Sequence, residues 1–139
     1  MTCSIPAIKL LLAEDNKQAS EVAGLMIARK FPHITIYFAG NGRIGVELFK
    51  EHAPDIVITD INMPVIDGIQ MAGEIKAIQP DTKFIVLTGF SDKNHVERFG
   101  EIGVNDYIPK PIMFEKLYAV IEKGIAEIML KRALRKADC

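Results

Sequence analysis

The sequence is most informative at first for what it lacks. Cysteine is nearly absent, and the two present, Cys3 and Cys139, stand at opposite ends of the 139 residues. That argues against a disulfide framework and fits a reducing compartment, so the expected location is the cytoplasm. No apolar run approaches the roughly 18 residues a membrane span requires. Met1 to Pro6 carry no basic region followed by a long apolar segment, so they do not read as a secretory signal. Neither sign of charge dominates: 17 Lys and Arg against 18 Asp and Glu give a net charge of −1. The basic footprint of a nucleic-acid binder is missing. One short cluster (Lys131, Arg132, Arg135, Lys136) is basic, and the solvated end of a helix accounts for it. No repeat or low-complexity segment is found. His33, His52 and His95 stand on separate elements without the spacing of metal ligands.

What is present is the balance of one soluble globular domain, with 49% hydrophobic and 25% charged residues. A chain of this size buries roughly two-thirds of its unfolded surface, so its core needs no staple. Short continuous apolar runs occur at Ile8–Ala13, Asp55–Thr59 and Lys83–Leu87. Unbroken rather than alternating runs suit strands buried on both faces, as in a parallel sheet. Ile34–Phe38 and Val104–Ile108 are more mixed and are placed at sheet edges.

Helical patterns fill the intervals. Lys17–Lys30 spaces Val22, Leu25, Met26 and Arg29 helically, and Phe31-Pro32 ends it. Asn41 can cap a helix reaching about His52, weakened by Gly42 and Gly45. Asp67 can cap Gly68–Ile78, which Pro80 closes, and Ser91 can cap a helix to about Ile102. The last helix begins near Ile112 and runs towards Arg135. Strands alternating with such helices predict an α/β fold. Right-handed crossovers then favour a doubly wound, five-stranded parallel sheet of order 2-1-3-4-5, flavodoxin-like, with helices on both faces.

Ligands of such sheets bind at the carboxyl ends of the strands, where strand order reverses. The first strand delivers Glu14 and Asp15, the third Asp60 followed by Asn62, and the fourth Thr88. The fifth passes through Tyr107 to Lys110 and Pro111. Taken singly, each has a plainer reading: a turn Asp, a packing Thr, a solvated Lys, an acidic pair at a helix start. Together they put three carboxylates, a hydroxyl and an ammonium in one place. Clustered carboxylates need a cation or a proton among them, and hard oxygen ligands suit magnesium. A carboxylate beside magnesium can act as nucleophile and form an aspartyl phosphate. Lys110 and the Thr88 hydroxyl would then face the phosphoryl oxygens.

Four segments carry a specific resemblance: LLLAEDN (Leu10–Asn16), IVITDINMPVIDG (Ile56–Gly68), FIVLTG (Phe84–Gly89) and GVNDYIPKPI (Gly103–Ile112). In this order and spacing they resemble the receiver domains of bacterial response regulators, over Ile8 to about Glu127. The resemblance implies that Glu14 and Asp15 help hold magnesium and that Asp60 accepts a phosphoryl group from a sensor histidine kinase. It further implies that the carbonyl of Asn62 is a metal ligand and that Thr88 and Lys110 contact the phosphoryl group. It makes the Lys110–Pro111 bond cis. Thr88 and Tyr107 are expected to relay the change to the face made by the fourth helix, fifth strand and fifth helix. The expected role is a signalling switch rather than an enzyme, its partner an attached output domain or a separate protein. No direct contact with nucleic acid or membrane is expected.

Two other chemistries fit less well. An aspartyl phosphatase of the haloacid-dehalogenase kind generally needs a second Asp where Asn62 stands. A flavodoxin-type cofactor site needs a Ser/Thr/Gly-rich phosphate loop where Glu14-Asp15 stands. Phe90, two residues past Thr88, is a bulky apolar ring where polar residues are frequent, which predicts a slowly hydrolysed phosphoryl group. Residues 1–127 are expected to form the receiver, and 128–139 to extend its last helix. Leu117, Ile121, Ile125 and Ile128 make one packing stripe. Met129, Leu130, Ala133 and Leu134 lie on another face, which suggests a linker to a following domain and a homodimer through this helix.

Overall fold

The computed structural model describes residues 7–136 apart from 62, 64, 90–92 and 105. The elements run β1 (Lys9–Ala13), α1 (Lys17–Lys30), β2 (Thr35–Ala39), α2 (Gly42–His52), β3 (Ile56–Asp60), α3 (Gly68–Ile78), β4 (Lys83–Thr88), α4 (Lys93–Glu101), β5 (Asp106–Pro109) and α5 (Phe114–Lys136). The strands form one parallel sheet of order β2-β1-β3-β4-β5, the order expected from the pattern.

The continuous apolar runs become the three central strands because each supplies side chains to both faces. Leu10, Leu12, Ile56, Ile58, Ile85 and Leu87 face one side, where Ala23 and Ile27 of α1 and Leu117, Ile121 and Ile128 of α5 cover them. Leu11, Val57, Phe84 and Val86 face the other, against Phe49 of α2, Met71 and Ile75 of α3 and Phe99 of α4. At about 25 cal/mol per Å² of apolar surface, these two layers are the main favourable term in folding.

Three helices start on a capping side chain. Asn16, Asn41 and Asp67 each accept a hydrogen bond at 2.9 Å, from the backbone N–H of Ala19, Ile44 and Gln70. Ser91, the expected cap of α4, lies outside the described residues. The glycines that weaken α2 by propensity have a packing purpose. A Cβ at Gly42 would stand 2.3 Å from the Ile66 carbonyl oxygen, and one at Gly45 2.5 Å from Met71 Sδ. Their absence lets α2 approach α3 and the loop before it.

Two sequence expectations change. Val22 and Leu25 of α1 do not face the core: they are 54% and 53% exposed, while Ser20, Ala23, Gly24 and Ile27 are buried. The helix turns its small residues inward because β2 lies close; a Cβ at Gly24 would meet the Phe38 ring at 2.5 Å. The fifth strand starts later than Val104, at Asp106, and runs to Pro109. Val104 is buried beside Phe99 instead, its N–H donating to the Phe99 carbonyl at 3.0 Å. Among the described residues no helix is long and apolar enough to cross a membrane.

Candidate functional site

Parallel pairing aligns the carboxyl ends of β1, β3, β4 and β5 on one rim. Asp60 is the last residue of β3 and is buried, with its side chain 12% exposed. Its Oδ1 accepts the N–H of Ile61 at 2.8 Å, and its Oδ2 lies 2.9 Å from Lys110 Nζ. The carboxylate is thus held from two directions.

Glu14 and Asp15 follow β1 directly. Glu14 is buried and its N–H donates to the Ala39 carbonyl at 3.0 Å; Asp15 is exposed. Oxygen atoms of Glu14, Asp15 and Asp60 all lie within 4.8 Å of one another. Lys110 Nζ also reaches Glu14 Oε1 at 3.9 Å. One ammonium does not offset three carboxylates. Burial, then the charge of Asp60 and a hydrogen bond with it, push the Glu14 carboxyl up to about 7, with Lys110 opposing.

The donor set fits a hard divalent cation on its own chemistry. Glu14 Oε2 is buried with no hydrogen-bond partner, an arrangement that costs free energy unless something cationic meets it. The ligands on offer are all carboxylate oxygens, as magnesium prefers. Asn62, the fourth expected ligand, lies outside the described residues, as does Phe90.

The family model of the response regulator receiver domain matches residues 10–122. The chain belongs to this family. Among its relatives, a probable chemotaxis protein CheY of Rhizobium etli is 35% identical over 121 residues, covering 83% of this chain and 90% of that one. A probable C4-dicarboxylate response regulator of Priestia megaterium is 36% identical over 114 residues, covering 82% of this chain and 50% of that protein. The chain spans between a third and somewhat more than half of the transcriptional regulators and other response regulators it matches first. Among solved structures, the N-terminal domain of an uncharacterized protein from Wolinella succinogenes superposes with a TM-score of 0.83 at 36% identity, covering 90% of this chain and 99% of that one.

In this receiver the rim brings Glu14, Asp15, Asp60 and Lys110 together as the sequence predicts. Thr88 ends β4 one residue beyond Leu87, the register partner of Asp60. Its carbonyl accepts the N–H of Lys110 at 2.7 Å, so the ends of β4 and β5 are tied to each other. The Lys110–Pro111 peptide is cis, in line with the resemblance. Tyr107 lies apart from the carboxylates. Its hydroxyl is 2.6 Å from the Val104 carbonyl oxygen and 3.1 Å from that of Val96, and can donate to either, which places it between β5 and α4.

Sequence reasoning missed two supports. Gly68 opens α3 directly against Asp60: a Cβ there would stand 2.3 Å from the Asp60 carbonyl oxygen. Its N–H donates to the Ile61 carbonyl at 3.0 Å. The Thr59 hydroxyl, fully buried, donates to that same Asp60 carbonyl at 2.8 Å. A glycine immediately after a capping Asp was the available signal for the first. The second had none, since Thr in a strand ordinarily reads as a packing residue.

Proposed function

We propose that this receiver takes a phosphoryl group onto Asp60 from the phosphohistidine of a sensor kinase, and that the modified state alters the α4-β5-α5 face to control a partner or an attached output domain. The observation that carries the reading is the Asp60 carboxylate, buried at a strand end and held 2.9 Å from the Lys110 ammonium beside two further acids.

Asp60 Oδ1 is engaged by the Ile61 N–H, which leaves Oδ2, the oxygen facing Lys110, to attack phosphorus. The new Oδ2–P bond forms as the P–N bond breaks; the donor imidazole, carrying a proton on its other ring nitrogen, takes the bonding pair, so the histidine leaves neutral. Lys110 loses its carboxylate partner as that oxygen is esterified and turns to the phosphoryl oxygens. Thr88 supplies a hydroxyl donor from the neighbouring strand end. Glu14, Asp15, Asp60 and the carbonyl of Asn62 would hold magnesium, which when bound supplies positive charge for the phosphoryl oxygens. The chain promotes its own modification and its slow reversal, and is not an enzyme acting on a separate substrate.

Thr88 and Tyr107 are the relay in this reading. Thr88 moves towards the phosphoryl group, Lys110 is tied to its carbonyl, and the Tyr107 hydroxyl makes a polar contact between β5 and α4 that must re-form. The outward Val22 and Leu25 stripe on α1, which begins at the site, offers a partner carrying the phosphohistidine an apolar face to lie against. The far part of α5, past residue 127, is read as the connection to an output domain and as a pairing face for a second copy. Light scattering of the chain against a version ending at Ala126 tests the pairing: equal mass at every concentration rules it out. The location is the cytoplasm, where a kinase domain would meet it.

The deciding experiment incubates the chain with magnesium and a small phosphodonor such as acetyl phosphate, and measures intact mass. One phosphoryl group is expected, lost in Asp60→Asn and lost on chelation of the metal. Modification that persists in either case overturns the assignment.

A further inference from the structure

At the end of the sheet opposite the acidic site, the starts of β3 and β4 and the last turns of α5 form a second polar cluster. Asp55, immediately before β3, is its centre. Its Oδ2 accepts the N–H of Lys9 at 2.9 Å, and its Oδ1 accepts Arg132 Nη2 of α5 at 2.7 Å. Its own N–H donates to the Lys9 carbonyl at 2.8 Å, and its carbonyl accepts the N–H of Lys83 at 3.1 Å. One residue therefore contacts β1, β4 and α5. The Arg132 and Asp55 side chains are 18% and 16% exposed. On either side, Glu127 pairs with Lys83, and Lys131 lies 3.8 Å from Asp81. Ile128, between these ion pairs, is buried in the core layer shared with α1.

We infer that these contacts form a clasp, centred on Asp55–Arg132, that holds the last turns of α5 against the floor of the sheet, so that α5 moves with the receiver as one rigid arm. A helix of 23 residues is about 35 Å long, and an unsupported end frays in its last turn. Here the supports reach Arg132, beyond the last core residue Ile128. Arginine suits the position because its planar head engages a carboxylate in a fixed geometry that a lysine would not impose. The flanking pairs are half-exposed and contribute little individually. Asp55–Arg132 is screened from water on most sides, so removing either partner leaves the other poorly solvated. The consequence is mechanical: a displacement arising at the β5–α5 end reaches the far end of α5 as a change in direction, not as loosening of the helix.

The test is hydrogen exchange, followed by NMR, at the amides of Leu130 to Leu134 in the full chain. In the unmodified protein these amides should exchange more slowly than those of a free helix end. Arg132→Met and Asp55→Asn should each speed them about tenfold, while Leu117 and Ile121 stay protected. The double variant should go no further than either single one, because both remove the same contact. If Asp55→Asn disturbs β1 by weakening its bond to Lys9, Arg132→Met carries the test alone. Fast exchange already in the unmodified chain, or exchange indifferent to Arg132→Met, overturns the clasp. Because nothing is phosphorylated in this experiment, its outcome is independent of whether Asp60 is the phosphoacceptor.

Discussion

Replacing Glu14 with Gln should stabilise the metal-free protein at neutral to alkaline pH, although it removes a residue of the acidic site. Burial and the neighbouring Asp60 hold the Glu14 carboxyl near 7, against 4.5 for the free side chain. That displacement corresponds to about 3 kcal/mol by which the charged form is disfavoured in the fold, at about 1.4 kcal/mol per pH unit. The group's stabilising contribution is present in full below the unfolded value and lost as pH rises through about 7. Glutamine carries no charge to lose. In chelator at about pH 8, Glu14→Gln should therefore be more stable than the native chain by as much as about 3 kcal/mol, and the gap should close on acidification towards about pH 4.5. Added magnesium should narrow or invert the order, since a ligand at a hundred times its Kd stabilises by about 2.7 kcal/mol and the variant lacks one of the proposed ligands. Urea unfolding across this pH range, with and without magnesium, measures all three effects. A variant less stable than the native chain in chelator at about pH 8, or a gap that does not vary with pH, refutes the reasoning.

Three further outcomes follow from local geometry. Gly68→Ala would place its Cβ 2.3 Å from the Asp60 carbonyl oxygen, so a loss of about 3 kcal/mol in urea unfolding is expected, with slower phosphorylation of Asp60. Val65 is a β-branched residue at φ 73, 69% exposed; Val65→Asn relieves left-handed strain without emptying the core and should raise stability by about 1 kcal/mol. A Cβ at Gly100 of α4 meets nothing within 4 Å, so Gly100→Ala should stiffen that helix and add about 1 kcal/mol, read as a rise in Tm.

The order of elements and the sheet topology were legible in the chain because the central strands, buried on both faces, must be continuously apolar. Leu10 to Ala13 and Ile56 to Thr59 are too short for a buried helix, and breaker and capping residues flank them. The acidic site was legible for a related reason: parallel strands deliver whatever follows them to one rim, so Glu14, Asp15, Asp60 and Lys110 could be gathered from their places after successive apolar runs. Orientation was not legible where two faces carry similar residues. In α1 both the Val22–Leu25 stripe and the Ala23–Ile27 stripe have helical spacing. Which one turns inward depends on the space left by β2, where Phe38 lies over Gly24. Nor do the side-chain patterns reveal contacts made through the backbone, such as the Asp60 carbonyl that excludes a Cβ at Gly68, or the Thr88 carbonyl that holds Lys110. The pairing of Asp55 with Arg132, 77 positions apart, has no periodicity to announce it. The sequence alone determines which segments are apolar enough to be buried and therefore which residues reach the rim. The close approaches, the inward face of α1 and the anchoring of α5 are decided only when distant segments compete for the same volume.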